Sequence, residues 1–316
     1  IASCLVGSEM CIRDRVILVG PKLEKIDATL GAIITDINLA DMDDASWAFV
    51  DDAFAKHAAL VFPGQFLNEN DQEVFSNHFG DLELLRGPNG GKVVPISNVK
   101  PDGTISKKEE HVFKTLRGNE GWHMDSTYMP LAAKAGVLSA KTVPPEGGET
   151  ELADMRAAYD ALDDNTKIEI EHLSAYHSLY QSQAKNGYIV KTGTGYGYHT
   201  QGAPLRPLVK KHPVTGRNAL CIGRHAYKIP GMKDEDALVL LDELLENACQ
   251  APRIYKHQWA PGDLIIWDNR CVLHRACPYD VSQPRVLQAS RISGDPRTEF
   301  ANTGADDLAS GFDGVS

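Results

Sequence analysis

Hydrophobic positions recur along this chain at two spacings. Trp47, Val50 and Phe54 share one helical face, so a helix is predicted over about residues 44–57 with Asp43 as its cap. A second helix fits residues 69–78, with Gly80 as its stop signal. Met155, Tyr159 and Leu162 make a third stripe after Asp154, and the Leu-rich stretch 234–249 is strongly helical. Between these lie short apolar runs with the length of strands, at 59–62, 136–139, 220–222, 264–267 and 285–292. Turn clusters such as Pro144-Pro145-Glu146-Gly147-Gly148 and Pro261-Gly262-Asp263 separate them. Residues 100–118 are polar and lack a period, which predicts a long loop and a candidate lid. Many short strands with a few helices predict a mainly β fold, a double-stranded β-helix (jelly roll) with flanking helices. A doubly wound parallel sheet would need regular strand–helix alternation, and no GxGxxG follows a strand.

The 316 residues are enough for one large domain, expected at 16–300, followed by a flexible tail at 301–316. Residues 1–15 show neither period and no signal-peptide core, so they are expected to be a non-native leader. A net charge of -11 argues against a nucleic-acid surface, which needs a basic face. No apolar run approaches the roughly 20 residues of a membrane helix. The six cysteines form no CxxC pair, which suits reduced thiols in a cytoplasmic protein. Cys271 and Cys277 flank His274 and remain alternative metal ligands.

Candidate chemistry concentrates in two places. In Trp122-His123-Met124-Asp125, residues two apart on an extended strand face the same way, so His123 and Asp125 can point into one site. With 11 histidines, about one such H-x-D is expected by chance, and a buried structural histidine explains His123 alone equally well. Far downstream, the apolar strand 264–267 runs through a polar turn to His274. Two histidines and one carboxylate can occupy one face of iron(II) and leave positions open for co-substrate and O₂. Zinc hydrolases also use two histidines and a carboxylate, but the HExxH helix is absent. A non-catalytic binding protein on the same fold is the reading from another class.

The blocks WHMDSTYMP, GGETELADMRAAYDALD, PLRPLVKKHPVTGR, IGRHAYKIPGM and QWAPGDLIIWDNRCVLHRA resemble the taurine dioxygenase and 2,4-dichlorophenoxyacetate dioxygenase family over residues 19–299. Within it the chain is most similar to the aryloxyalkanoate dioxygenases acting on (S)-2-aryloxypropionates. The resemblance implies Fe(2+) bound by His123, Asp125 and His274, with 2-oxoglutarate and O₂ as co-substrates. It implies a homo-oligomer acting on a small organic acid, with succinate and CO₂ as co-products. Arg285, eleven residues after His274, matches the arginine that grips the far carboxylate of 2-oxoglutarate, and Thr150 matches the threonine supporting it.

Two departures bear on substrate. Taurine dioxygenase has a second arginine four residues after the first, where this chain has Ala289. Its taurine-contacting His and Tyr correspond to Leu85 and Pro88, whereas Asn119 keeps the asparagine four residues before His123. The pocket is therefore expected to be more apolar, walled by Leu84, Leu85 and Val137, with Ser126 beside the substrate. Arg224 is the leading candidate for the cation holding the substrate anion, with Arg291, Lys100 and Arg206 as alternatives.

Overall fold

A computed structural model describes residues 20–85, 91–107, 110–189, 193, 195–306 and 308. The expected leader at 1–15, Pro88 and residues 309–316 lie outside them. The apolar runs become strands of a 7-stranded sheet in the order Lys22–Lys25, Ala32–Thr35, Ala59–Phe62, Leu264–Asp268, Ala133–Thr142, Val286–Ser293, Val94–Ser97. All neighbours in it are antiparallel except Ala32–Thr35 with Ala59–Phe62. A 3-stranded sheet, in the order Ile254–His257, Thr150–Asp154, Val272–Ala276, carries part of the candidate site. A 4-stranded sheet joins Ala226–Lys228, Ser174–His177, Ala203–Pro207 and Thr303–Gly304, and Asn218–Leu220 pairs with Val209–Lys211.

Alternation along Leu264–Asp268 builds two cores from one strand. Ile265 and Trp267 pack inward on Leu152, Val272 and Leu273, filling the space between the sheets. Leu264 and Ile266 face the other way, onto Phe54, Phe75 and Phe79 of the helical layer. That layer holds helix Asp44–His57, capped by Asp43 accepting from Ser46 N, and helix Glu69–Asn77, closed by a capping box of Asn68 and Asp71. Gly136 pairs with Trp267 across the sheet, and a Cβ there would come within 2.3 Å of the indole, so only glycine fits. This is the jelly-roll architecture with flanking helices expected from the sequence.

Two expectations need correction. Residues 111–118 are not loop but helix His111–Gly118. Its polar sequence hid the turn because Phe113 and Leu116 are too few to make a long stripe. The chain after residue 300 is also not all tail. Ala301 and Asp306 are buried, Thr303–Gly304 pairs with Pro204 and Ala203, and Asp306 accepts a short hydrogen bond from Ser178 Oγ. Hydroxyl–carboxylate and backbone pairing, rather than an apolar run, holds this stretch. No described helix is long and apolar enough to cross a membrane.

Candidate active site

His123 and His274 come together through their backbones. Each N–H donates to the other's carbonyl, at 3.0 and 2.9 Å, forming an isolated antiparallel bridge along the outer edge of the small sheet. The bridge sets the imidazoles side by side, centroids 4.1 Å apart. Gly223 makes room for the bridge: a Cβ there would stand 3.0 Å from Trp122 O and 3.4 Å from His123 Cα, on a φ of +115°. Asp125 is fixed from the turn after Asp268. Asn269 Oδ1 accepts from Asp125 N at 2.7 Å, and Asn269 Nδ2 donates to Asp125 O at 2.8 Å. Ser126 then takes a left-handed φ of 56°, strain that the surrounding bonds must hold.

The donor atoms of His123, Asp125 and His274 all lie within 4.8 Å of one another. His123 Nδ1 is engaged by Gly121 O at 2.7 Å, which leaves Nε2 as the lone-pair nitrogen. His274 Nε2 stands 3.7 Å from Asp125 Oδ2, too far for a hydrogen bond. Burial, reinforced by His274, holds the His123 pKa well below its usual range, and burial takes His274 down to about 4. Burial opposes the Asp125 charge, but Arg291 and then the two imidazoles outweigh it and lower that pKa. At neutral pH the triad therefore offers two neutral imidazoles and one carboxylate, a donor set that fits a six-coordinate divalent iron.

Cys271 and Cys277 are not part of this set. Cys271 gathers instead with His212 and Asp268. There the Asp268 carboxylate is already gripped by Arg270 at 2.8 and 2.6 Å and by His212 at 3.0 Å. Burial, then the Asp268 charge, keeps the Cys271 thiol protonated, so this knot is structural. Cys277 lines a neighbouring depression beyond Ala276.

A cleft opens over the triad, and its lining includes Thr150, Arg285, Leu85, Val137, Ala289 and Arg291. Arg285 precedes strand Val286–Ser293 and is buried. Its Nε and Nη2 donate to Gly148 O at 3.1 and 2.9 Å, and it lies 5.6 Å from the Tyr279 ring centroid. No described carboxylate pairs with it, and Nη1 is engaged by none of the described residues. A buried guanidinium without a counter-ion is costly, and its geometry suits an incoming carboxylate. Thr150 Oγ1 accepts from Trp259 Nε1 at 3.0 Å, so its own proton is available to the cleft.

The substrate-side expectations divide. Asn119 lines the cleft, its carbonyl accepting from Ala276 N at 2.8 Å. Ser126 does not line it: the hydroxyl is buried behind Asp125, bonded to Glu83, Tyr196 and Arg291. Leu85 and Val137 form apolar wall, whereas Leu84 is exposed on the outer side. Arg224 is also displaced from the expected place. Its backbone N donates to Trp122 O at 2.9 Å, but the guanidinium runs under Gly118 and Gly121 to Ser182 O at 3.2 Å. Arg206 is consumed by the carbonyls of Thr127, Met129, Pro130 and Glu299, and Lys100 by Glu110. Of the four proposed cations, Arg291 reaches the cleft, donating to Asp125 Oδ1 at 2.5 Å. Arg275 also lines it, but pairs with Glu151 at 2.7 Å and stacks over Trp122.

Sequence reasoning passed over Glu83, Tyr196 and Asn269. Asn269 carried a legible signal, an amide in the tight turn before a candidate ligand strand.

The profile of the Taurine catabolism dioxygenase TauD, TfdA family matches residues 22–290. The chain is 50% identical over 282 residues to the (S)-phenoxypropionate/alpha-ketoglutarate-dioxygenase of Sphingobium herbicidovorans, covering 87% of this chain and 96% of that one. It is 39% identical over 249 residues to the alpha-ketoglutarate-dependent 2,4-dichlorophenoxyacetate dioxygenase of Cupriavidus pinatubonensis, covering 75% and 85%. A crystal structure of AAD-2 in complex with Mn(II) and N-oxalylglycine superposes with a TM-score of 0.80 at 36% identity, covering 86% of this chain and 97% of that one.

Proposed function

The chain belongs to the taurine catabolism dioxygenase TauD, TfdA family, and from that premise we propose that it is an iron(II)- and 2-oxoglutarate-dependent dioxygenase that opens the ether of an aryloxyalkanoate, an (S)-2-aryloxypropionate above all. One observation carries the proposal: the buried, anion-less Arg285 faces the same cleft as the His123–Asp125–His274 triad. Iron bound by the triad supplies the activation of O₂ at the expense of 2-oxoglutarate, which leaves as succinate and CO₂.

The protein's own residues hold and aim the reactants. Arg285 grips the distal carboxylate of 2-oxoglutarate, and the Thr150 hydroxyl donates to it. Arg291 takes the carboxylate of the acid substrate, and Leu85, Val137 and Ala289 give its ring an apolar wall that excludes water. Aiming the carbon between carboxylate and ether oxygen at the metal places the new hydroxyl there. The resulting hemiketal collapses, with the proton moving to the ether oxygen, to a phenol and a 2-keto acid. A sulfonate amine such as taurine lacks an aromatic ring for that wall, and Ala289 offers it no cation.

Succinate release measured across a panel of acids tests the substrate class. The S enantiomer of 2-phenoxypropionate is expected to exceed the R enantiomer, and taurine should give little. Preferred turnover of taurine overturns the assignment. Thr150→Val should raise KM for 2-oxoglutarate by roughly fivefold, about 1 kcal/mol for one hydrogen bond. It should also lower Tm, because Trp259 Nε1 loses its acceptor. An unchanged KM would leave Thr150 a purely structural partner of Trp259.

A further inference from the structure

Glu83 is a buried carboxylate that the reaction described above does not use. Its backbone N donates to Arg291 O at 2.8 Å, so the two residues are neighbours at the edge of the large sheet. Glu83 Oε2 accepts from Tyr196 OH at 2.6 Å and from Ser126 Oγ at 2.9 Å, and stands 3.7 Å from Arg291 Nη1. Ser126 Oγ in turn accepts from Arg291 Nη1 at 3.2 Å, and the guanidinium lies 5.5 Å from the Tyr196 ring centroid. Arg291 is thus suspended between two carboxylates, Asp125 on the metal side and Glu83 behind.

That arrangement makes sense only when charge is counted through the binding cycle. While the triad is empty, Asp125 neutralises Arg291. Once Asp125 serves a divalent cation, the same guanidinium would be left buried and uncompensated beside two positive charges, a costly state. Glu83 is the anion still available to it. Burial pushes the Glu83 carboxyl up, opposed by the Arg291 charge and then by the Tyr196 and Ser126 hydroxyl donors, which favour its ionised form.

We propose that Glu83 is a positioning residue, the standing counter-ion that, with Tyr196 and Ser126, compensates the Arg291 charge and keeps the guanidinium aimed into the cleft while Asp125 is engaged by metal. The proposal rests on the reading that Arg291 receives the substrate carboxylate. It also makes metal binding sensitive to a residue that touches no metal.

The test uses the full chain with two readouts, Mn(II) affinity by calorimetry without 2-oxoglutarate, and separate KM values for (S)-2-phenoxypropionate and 2-oxoglutarate. Glu83→Gln should weaken Mn(II) binding and raise KM for the acid, each on the order of tenfold, while KM for 2-oxoglutarate stays within about twofold. Arg291→Met removes the repelling cation and should bind Mn(II) at least as tightly as the parent. The double variant should therefore recover much of the affinity that Glu83→Gln alone loses. Should Glu83→Gln fail to fold, Tyr196→Phe removes one hydroxyl only and should raise KM for the acid roughly threefold. Parental Mn(II) affinity and acid KM in Glu83→Gln, or an unchanged acid KM in a Tyr196→Phe used in its place, would overturn the proposal. Failure of the substrate reading looks different. The parent would then turn over no aryloxyalkanoate, yet the opposite effects of Glu83→Gln and Arg291→Met on Mn(II) would persist.

Discussion

His274→Ala is expected to abolish 2-oxoglutarate turnover while the protein remains folded. The backbone bridge between residues 123 and 274 uses only main-chain groups, so it survives loss of the imidazole. What disappears is one of two neutral nitrogen donors that, with Asp125, define one face of the metal. Two remaining protein ligands hold a divalent cation far more weakly, and the geometry of the open positions is lost. His123→Ala should behave alike. Asp125→Ala should do the same and also destabilise the protein, since Arg291 loses its 2.5 Å partner. Metal content, succinate release and Tm, measured together, check all three. Parental turnover in His274→Ala would remove the triad from the reaction.

Arg285→Ala should raise KM for 2-oxoglutarate by roughly a hundredfold or more, about 3 kcal/mol for a desolvated charge-assisted pair. KM for the aryloxy acid should change little, because the proposed function gives that carboxylate to Arg291 instead. Stability points the other way. Arg285 is buried with no described counter-ion, so its removal should leave Tm of the ligand-free protein nearly unchanged. Saturating 2-oxoglutarate should raise Tm of the metal-loaded parent and fail to do so in the variant, since only binding to the native state stabilises it. Equal thermal protection of both proteins would place the keto acid elsewhere.

The outline of the fold could be read because its strands are short apolar runs bounded by Gly and Pro turns. Ala59–Phe62 and Leu264–Asp268 are buried along their length and cannot be mistaken for surface. The helix His111–Gly118 escaped because it is short and its few apolar residues sit in a polar stretch, and the pairing at Thr303–Gly304 because backbone bonding, not apolar periodicity, holds it. In the site, His123, Asp125 and His274 were legible because a strand puts alternate residues on one face and because their motif blocks are long. Side-chain direction was not legible. Arg224 follows a strand near the site in sequence, yet its guanidinium turns to Ser182 O, while Arg291 reaches in because alternation along Val286–Ser293 aims it at Asp125. Ser126 was displaced by one residue's worth of geometry: the left-handed turn after Asp125 sends its hydroxyl to Glu83.

The central claim is that one cleft couples iron, 2-oxoglutarate and an aryloxy acid. The most direct measurement is stoichiometric: the protein is loaded with iron(II) or zinc(II), given O₂, 2-oxoglutarate and (S)-2-phenoxypropionate, and succinate and phenol are quantified together. Iron-loaded protein is expected to release about one phenol per succinate, with neither product formed on zinc. Phenol released equally with zinc, or without consumption of 2-oxoglutarate, would contradict the account.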